Sequence, residues 1–173
     1  MKIKILTLLV VAMLVAGCGN KQVPRERVPE HVTTETDVTD GVRIPYEPNG
    51  SHEMVTVSFN GVPMNLLWDT GCTTTLIPVT EFQRMIREGK ISGYDYSDTK
   101  YAQIADGSIV ENFEFNIRDV SFNTTNGRPY VLHDISVLVS PNPNSSSLLG
   151  KNVIDQLGQF YRDESESCFV LKQ

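Results

Sequence analysis

Basic residues are scarce in this chain: 15 lysines and arginines stand against 21 aspartates and glutamates in 173 residues, a formal net charge of −6. Loss of Lys2 and Lys4 with a cleaved leader would deepen the imbalance. No basic footprint for a phosphate backbone remains, so nucleic acid is excluded as a partner. Histidine occurs 3 times, and no histidine–cysteine spacing suggests a metal site. Neither metal nor other cofactor is expected. With 3 cysteines the count requires no disulfide. There is no internal repeat, and after one apolar run near the N-terminus there is no second hydrophobic span.

That run extends from Ile5 to Ala16 behind Lys2 and Lys4. It is short for a bilayer span but suits the apolar core of a signal peptide. It ends in Val15-Ala16-Gly17-Cys18, which resembles the bacterial lipobox, where the leader is cut ahead of a cysteine that is then lipidated. The resemblance implies residues 1–17 as a lipoprotein signal peptide and Cys18 as an acylated N-terminus. It also implies lipid anchoring in a bacterial cell envelope, on the periplasmic, outer-membrane or cell-surface side. The alternative, an ordinary secretory signal with an incidental cysteine, also exports the protein.

Residues 18–50 read as a flexible tether. Pro24, Pro29, Pro45 and Pro48, with Thr33, Thr34, Thr36 and several acidic groups, offer too little apolar area to fold alone. A flexible coil of this length reaches on the order of 30 Å. Residues 51–173 read as one small, mainly β domain with one or two short helices. Val55, Val57 and Phe59 alternate with polar residues, and Asn60-Gly61 signals a hairpin. After Pro78, Val79, Phe82 and Ile86 share a helical face that Gly89 ends. Tyr101–Ile104 and Ile109–Ile117 flank a second turn at Ala105-Asp106-Gly107-Ser108. Residues 120–122, 130–132 and 135–139 read as short strands, and 148–157 contain a helix stopped by Gly158. Closing strands follow at 159–162 and 168–171.

Within this pattern, Leu66-Leu67-Trp68 runs into Asp69-Thr70-Gly71, followed by Cys72-Thr73-Thr74-Thr75-Leu76-Ile77. An apolar strand delivers a carboxylate to the edge of a hydrophobic layer, where its protonation can be controlled. Downstream stands Leu148-Leu149-Gly150-Lys151-Asn152-Val153-Ile154. Together the two segments resemble the retropepsin-like aspartic proteases, from about Met54 to the C-terminus. The resemblance implies that family's small closed-barrel-like fold, with Asp69, Thr70 and Gly71 as the catalytic loop. It makes Ala105, Asp106, Gly107 and Ser108 a flap over a peptide or protein substrate, and puts Leu148 and Leu149 in the core beneath the loop. Asn152 matches a polar helix position in the family. Cys72 stands where the family usually has alanine or serine. It and Cys168 are expected to be free thiols.

The chemistry of this family needs two carboxylates sharing one proton, because like charges in contact cannot both ionise. Only one Asp-Thr-Gly occurs here. The second Asp69 is therefore expected from a second copy, in a homodimer with its site on the two-fold axis. Asp106-Gly107 lacks the preceding apolar strand and falls where the flap is expected. A cysteine hydrolase pairing Cys72 with His52 or His133 has no local signature. The expected activity is that of a membrane-anchored aspartic endopeptidase. The alternative is a non-catalytic envelope lipoprotein that binds peptides in the same cleft by strand addition.

Overall fold

Alternation of apolar and polar residues, the mark of strands covered on one face, begins earlier than residue 51. A computed structural model describes residues 41–104 and 106–172. Cys18, the expected signal peptide and most of the expected tether lie outside them. Within them, Arg43–Pro45 forms β1 and Glu47–Asn49 forms β2. Ile44 is fully buried and Tyr46 nearly so, so the boundary expected at residue 51 lies too late. The prolines concealed this. Both stand in edge strands, where a missing N–H removes no ladder bond that the sheet needs.

β3 (His52–Phe59) and β4 (Val62–Trp68) form the hairpin expected at Asn60-Gly61. Both turn residues have positive φ, 48° and 84°, as a tight hairpin turn demands. Val55, Val57, Phe59, Leu66 and Trp68 face the core. β5 (Leu76–Pro78) leads into α1 (Val79–Arg87). The helix buries Met85, whereas Ile86 is 50% exposed, so its inner face is Val79, Phe82 and Met85, not the expected Val79, Phe82 and Ile86. Phe82 anchors that face against Phe115, with ring centroids 4.2 Å apart. Residues 85 and 86 both follow Phe82 by about one turn, and the docking of Phe82 selects Met85.

β6 (Tyr96–Gln103) and β7 (Ile109–Phe122) make the second hairpin, and β8 (Tyr130–Ser140) returns along β7. Strands expected to break at Arg118-Asp119 and at His133-Asp134 are continuous. Those polar residues interrupt the apolar pattern because they pair with each other at the surface, His133 Nδ1 lying 2.8 Å from Asp119 Oδ1. β9 (Leu148–Leu149) pairs with β4 and β5. The ladder β3-β4-β9-β5-β8-β7 returns to β3 through a β7–β3 pairing. This cyclic pairing is compatible with the expected barrel-like domain, with β2 and β6 attached outside the cycle.

The expected C-terminal helix is α2 (Lys151–Ile154) extended by a 3-10 turn at Asp155–Leu157, and Gly158 ends it. β10 (Phe160–Asp163) and β11 (Cys168–Leu171) then join β1 in a separate sheet, with β11 in the middle. Cys72 and Cys168 are free. Among the described residues no helix is long and apolar enough to cross a membrane.

A chain starting at residue 51 should be less stable by roughly 3–6 kcal/mol than one starting at residue 41, from the burial of Ile44 and Tyr46 it forfeits. Urea denaturation of the two chains measures this. Equal midpoints would return β1 to the tether.

Candidate active site

Strand alternation places Leu66 and Trp68 inward, and Trp68 is locked by stacking on Phe169 at 3.9 Å between centroids and by the edge of Phe160 at 5.2 Å. The next residue, Asp69, leaves this rigid layer half-buried. Its backbone N–H donates to the Leu149 carbonyl at 3.0 Å. Its Oδ1 accepts the N–H groups of Gly71 at 2.8 Å and Cys72 at 3.2 Å. One carboxylate oxygen is thus fixed by the loop's own backbone, and no described donor occupies Oδ2. Gly71 and Thr70 are exposed at the loop's apex.

The rest of the loop is sewn to the segment after β9. Lys151 N–H donates to Cys72 O at 2.8 Å, and Asn152 N–H to Thr73 O at 3.1 Å. Thr75, fully buried, donates both its N–H (2.8 Å) and its hydroxyl (2.9 Å) to Asn152 Oδ1. The same hydroxyl accepts Gly150 N–H at 3.0 Å. Asn152 Nδ2 in turn donates to Ser136 O at 2.7 Å. Every polar atom in this buried knot is used, as burial demands. Gly150 has no room for a side chain: a Cβ there would lie 2.6 Å from Thr75 N and from Thr74 C. That contact is the physical reason for glycine after the two leucines. Leu149 is fully buried as expected, while Leu148 is half-buried and also faces the cleft.

The cleft over this loop has a volume of about 1050 Å³. Asp69, Gly71 and Cys72 form part of its floor, and the β6–β7 hairpin, including Ile104 and Gly107, forms one wall. Of the four expected flap residues, Ala105 lies outside the described residues. Gly107, at φ 86°, reaches the cleft. Asp106 and Ser108 instead close the turn: Asp106 Oδ1 accepts Ser108 N–H at 2.8 Å. Hydrogen bonds from the Ser108 side chain and backbone hold the Asp106 carboxyl below the usual carboxylate range. Asp106 is therefore a turn residue, not a second catalytic carboxylate.

The Cys72 side chain is engaged within its own loop. Its thiol donates to Thr74 O at 3.0 Å. Burial, reinforced by the nearby Asp69 charge, pushes the thiol's pKa up, which suits a packing group and not a nucleophile. Among the described residues no cluster of metal-binding side chains occurs. Sequence reasoning did not single out Thr75, and left Asn152 without a role. The available signal was a hydroxyl placed directly before the apolar pair Leu76-Ile77, where a strand entering the core has no water to satisfy it.

A fixed carboxylate at the end of a buried strand, beneath a hairpin and braced by a Leu-Leu-Gly segment, is the arrangement of a retropepsin-like aspartic protease. The chain belongs to the gag-polyprotein putative aspartyl protease family, whose model matches residues 55–156. Among solved structures it is similar to the crystal structure of a retropepsin-like aspartic protease from Rickettsia conorii, with a TM-score of 0.50 and 18% identity. The match covers 75% of this chain and 96% of that one. At that identity the likeness bears on the fold. No curated protein matches the chain.

Asn152→Leu leaves the Thr75 N–H and hydroxyl without an acceptor and should cost about 2–5 kcal/mol, summing the usual penalty for orphaned buried groups. Thr75→Val should be similarly destabilising, Thr75→Ser far less so, and the Asn152→Leu/Thr75→Val pair markedly less than additive. Urea melts of the four proteins decide it; additive losses would mean the two residues act separately.

Proposed function

We infer that this protein is a membrane-anchored, homodimeric aspartic endopeptidase in which Asp69 from each of two chains activates the attacking water. The observation that carries the reading is the state of Asp69. It sits on the floor of an open cleft, with Oδ1 fixed by two backbone N–H groups and Oδ2 without a described partner. In a pair of such carboxylates one is protonated and the other charged, since both cannot ionise in contact. The charged one takes a proton from water as the oxygen attacks the scissile carbonyl carbon. The protonated one donates to the carbonyl oxygen, and the departing amine takes up a proton as the C–N bond breaks.

Support for the shared site is chemical. The described cleft contains one other carboxylate, Glu114, and it is already engaged by Ser136 Oγ at 2.5 Å and Lys100 Nζ at 3.7 Å. Thr70 and Gly71, which precede a braced loop, are exposed in the single chain, as expected if a second copy covers them. In this reading Thr70 bonds across the two-fold axis, and Gly71 keeps the backbone close to the carboxylate. Anchoring rests on Lys2, Lys4, the apolar run and Val15-Ala16-Gly17-Cys18. It confines the enzyme to the cell envelope and raises the local concentration of chains that must meet.

Asp69→Asn should abolish peptide cleavage, by at least about 10³-fold given the contribution of acid–base catalysis and water activation, with the circular dichroism spectrum unchanged. In a chain lacking residues 1–18, specific activity should fall on dilution as dimers dissociate. Undiminished turnover in the Asn form would end the enzyme reading; constant specific activity with a monomeric mass would end the shared site. Cys18→Ala should abolish incorporation of a labelled fatty acid into the protein, and continued labelling would show that another residue carries the lipid.

A further inference from the structure

The β6–β7 hairpin extends past the strand that supports it. The last described pairing of β7 with β8 is Phe113 opposite Val139, whereas β6 and β7 go on pairing from Lys100 opposite Asn112 to Gln103 opposite Ile109. Since β6 also ends the sheet, the described hairpin beyond Phe113 is two strands wide. Tyr101, Gln103, Ile104 and Ile109 are all exposed there. A two-stranded ribbon with little burial holds its own position weakly. Its pose over the cleft is therefore set where it leaves the third strand, at Glu114 and Phe115.

Successive strand residues face opposite ways, and both faces of β7 are pinned at this point. On one face Phe115 packs on Phe82 of α1, with ring centroids 4.2 Å apart, and on Tyr96 at 5.6 Å. On the cleft face Glu114 ties three strands together. Its Oε1 accepts the hydroxyl of Ser136 on β8 at 2.5 Å, and its Oε2 lies 3.7 Å from Nζ of Lys100 on β6. The Glu114 side chain is 18% exposed and that of Lys100 46%. The Ser136 bond is thus short, charge-assisted and largely shielded from water, and it outweighs the longer, wetter pair with Lys100. Ser136 has a second attachment through a different atom, its carbonyl, which accepts Asn152 Nδ2 at 2.7 Å. The carbonyl faces the brace beneath the Asp69 loop and the hydroxyl faces the hairpin, so the two links can be cut separately.

We propose that Glu114 and Ser136 are positioning residues that clamp the base of the β6–β7 hairpin in the pose that receives peptide. The proposal rests on the protease reading above and adds the side chains that preorganise its substrate wall. A hairpin already held in place loses less freedom when peptide binds, so the clamp favours binding. Without it, ordering the hairpin becomes part of the cost of each binding event. The chemistry at Asp69 is untouched by the clamp, because the Asp69 loop is held by Asn152, Gly150 and its own backbone.

Ser136→Ala removes the hydroxyl and keeps the carbonyl that Asn152 holds. KM for a cleaved peptide should rise on the order of fivefold, the scale of one net hydrogen bond to a charged group, with kcat nearly unchanged. Ser136→Thr, which restores the hydroxyl, should recover most of the native KM. Glu114→Gln keeps an acceptor but loses the charge, and should shift KM the same way by a smaller factor; it carries the test if Ser136→Ala does not fold. Hydrogen exchange read by mass spectrometry needs no substrate. In Ser136→Ala the amides of residues 100–112 should exchange several-fold faster, while those of residues 69–75 keep their native rates. An unchanged KM, a loss confined to kcat, or exchange that is unaltered or raised throughout the domain would each overturn the clamp. If the native chain cleaves no peptide, the protease reading falls, and exchange alone decides: a rise confined to the hairpin keeps Glu114 and Ser136 as the residues that set this wall.

Discussion

The site depends on one buried hydroxyl. Thr75 lies where the Asp69 loop re-enters the sheet, and without partners its N–H and O–H would be stranded beside the apolar core that includes Ile77, Leu149 and Val153. Asn152 takes both donors, and the Gly150 N–H donates in turn to the hydroxyl oxygen. For that to happen α2 must begin immediately beneath the loop, and it does so only because residue 150 has no side chain. The position of Asp69 is thus set from below by a polar knot and from behind by the stacked Trp68.

The knot also reaches the opposite wall. Asn152 Nδ2 holds the Ser136 carbonyl, the Ser136 hydroxyl holds Glu114, and Glu114 holds Lys100 at the base of the β6–β7 hairpin. Floor and wall are joined by a single chain of bonds, none spanning more than one strand spacing. A change at Asn152 therefore bears on how the hairpin sits over the cleft as well as on where the carboxylate lies.

Much of this was legible in the amino-acid sequence, for physical reasons that can be named. Asn60-Gly61 specifies its hairpin because both residues tolerate positive φ, and Leu66-Leu67-Trp68-Asp69 announces a carboxylate at the end of a buried strand. The Leu-Leu-Gly segment marked the brace. What escaped were features decided by partners distant in sequence. Pro45 reads as coil because nothing local shows that β11 waits across the fold to pair with Arg43–Pro45. Arg118-Asp119 and His133-Asp134 read as strand ends because each pair's polarity is explained only by the other. Thr75 resembles an ordinary polar loop residue until its surroundings show what satisfies it.

The pairing of β1 with β11 carries a consequence for the order in which the chain assembles. Arg43 opposes Val170 and Pro45 opposes Cys168, so three residue pairs close a loop containing nearly all of the described chain. Loop closure costs grow only slowly with length, but they must be met before so short a ladder returns anything. The ring of six strands, in which β9 and β5 link the β3–β4 hairpin to the β7–β8 pair, provides the surface that makes closure worthwhile. On this loop-closure argument β1 docks only after the ring of strands on which it packs has formed.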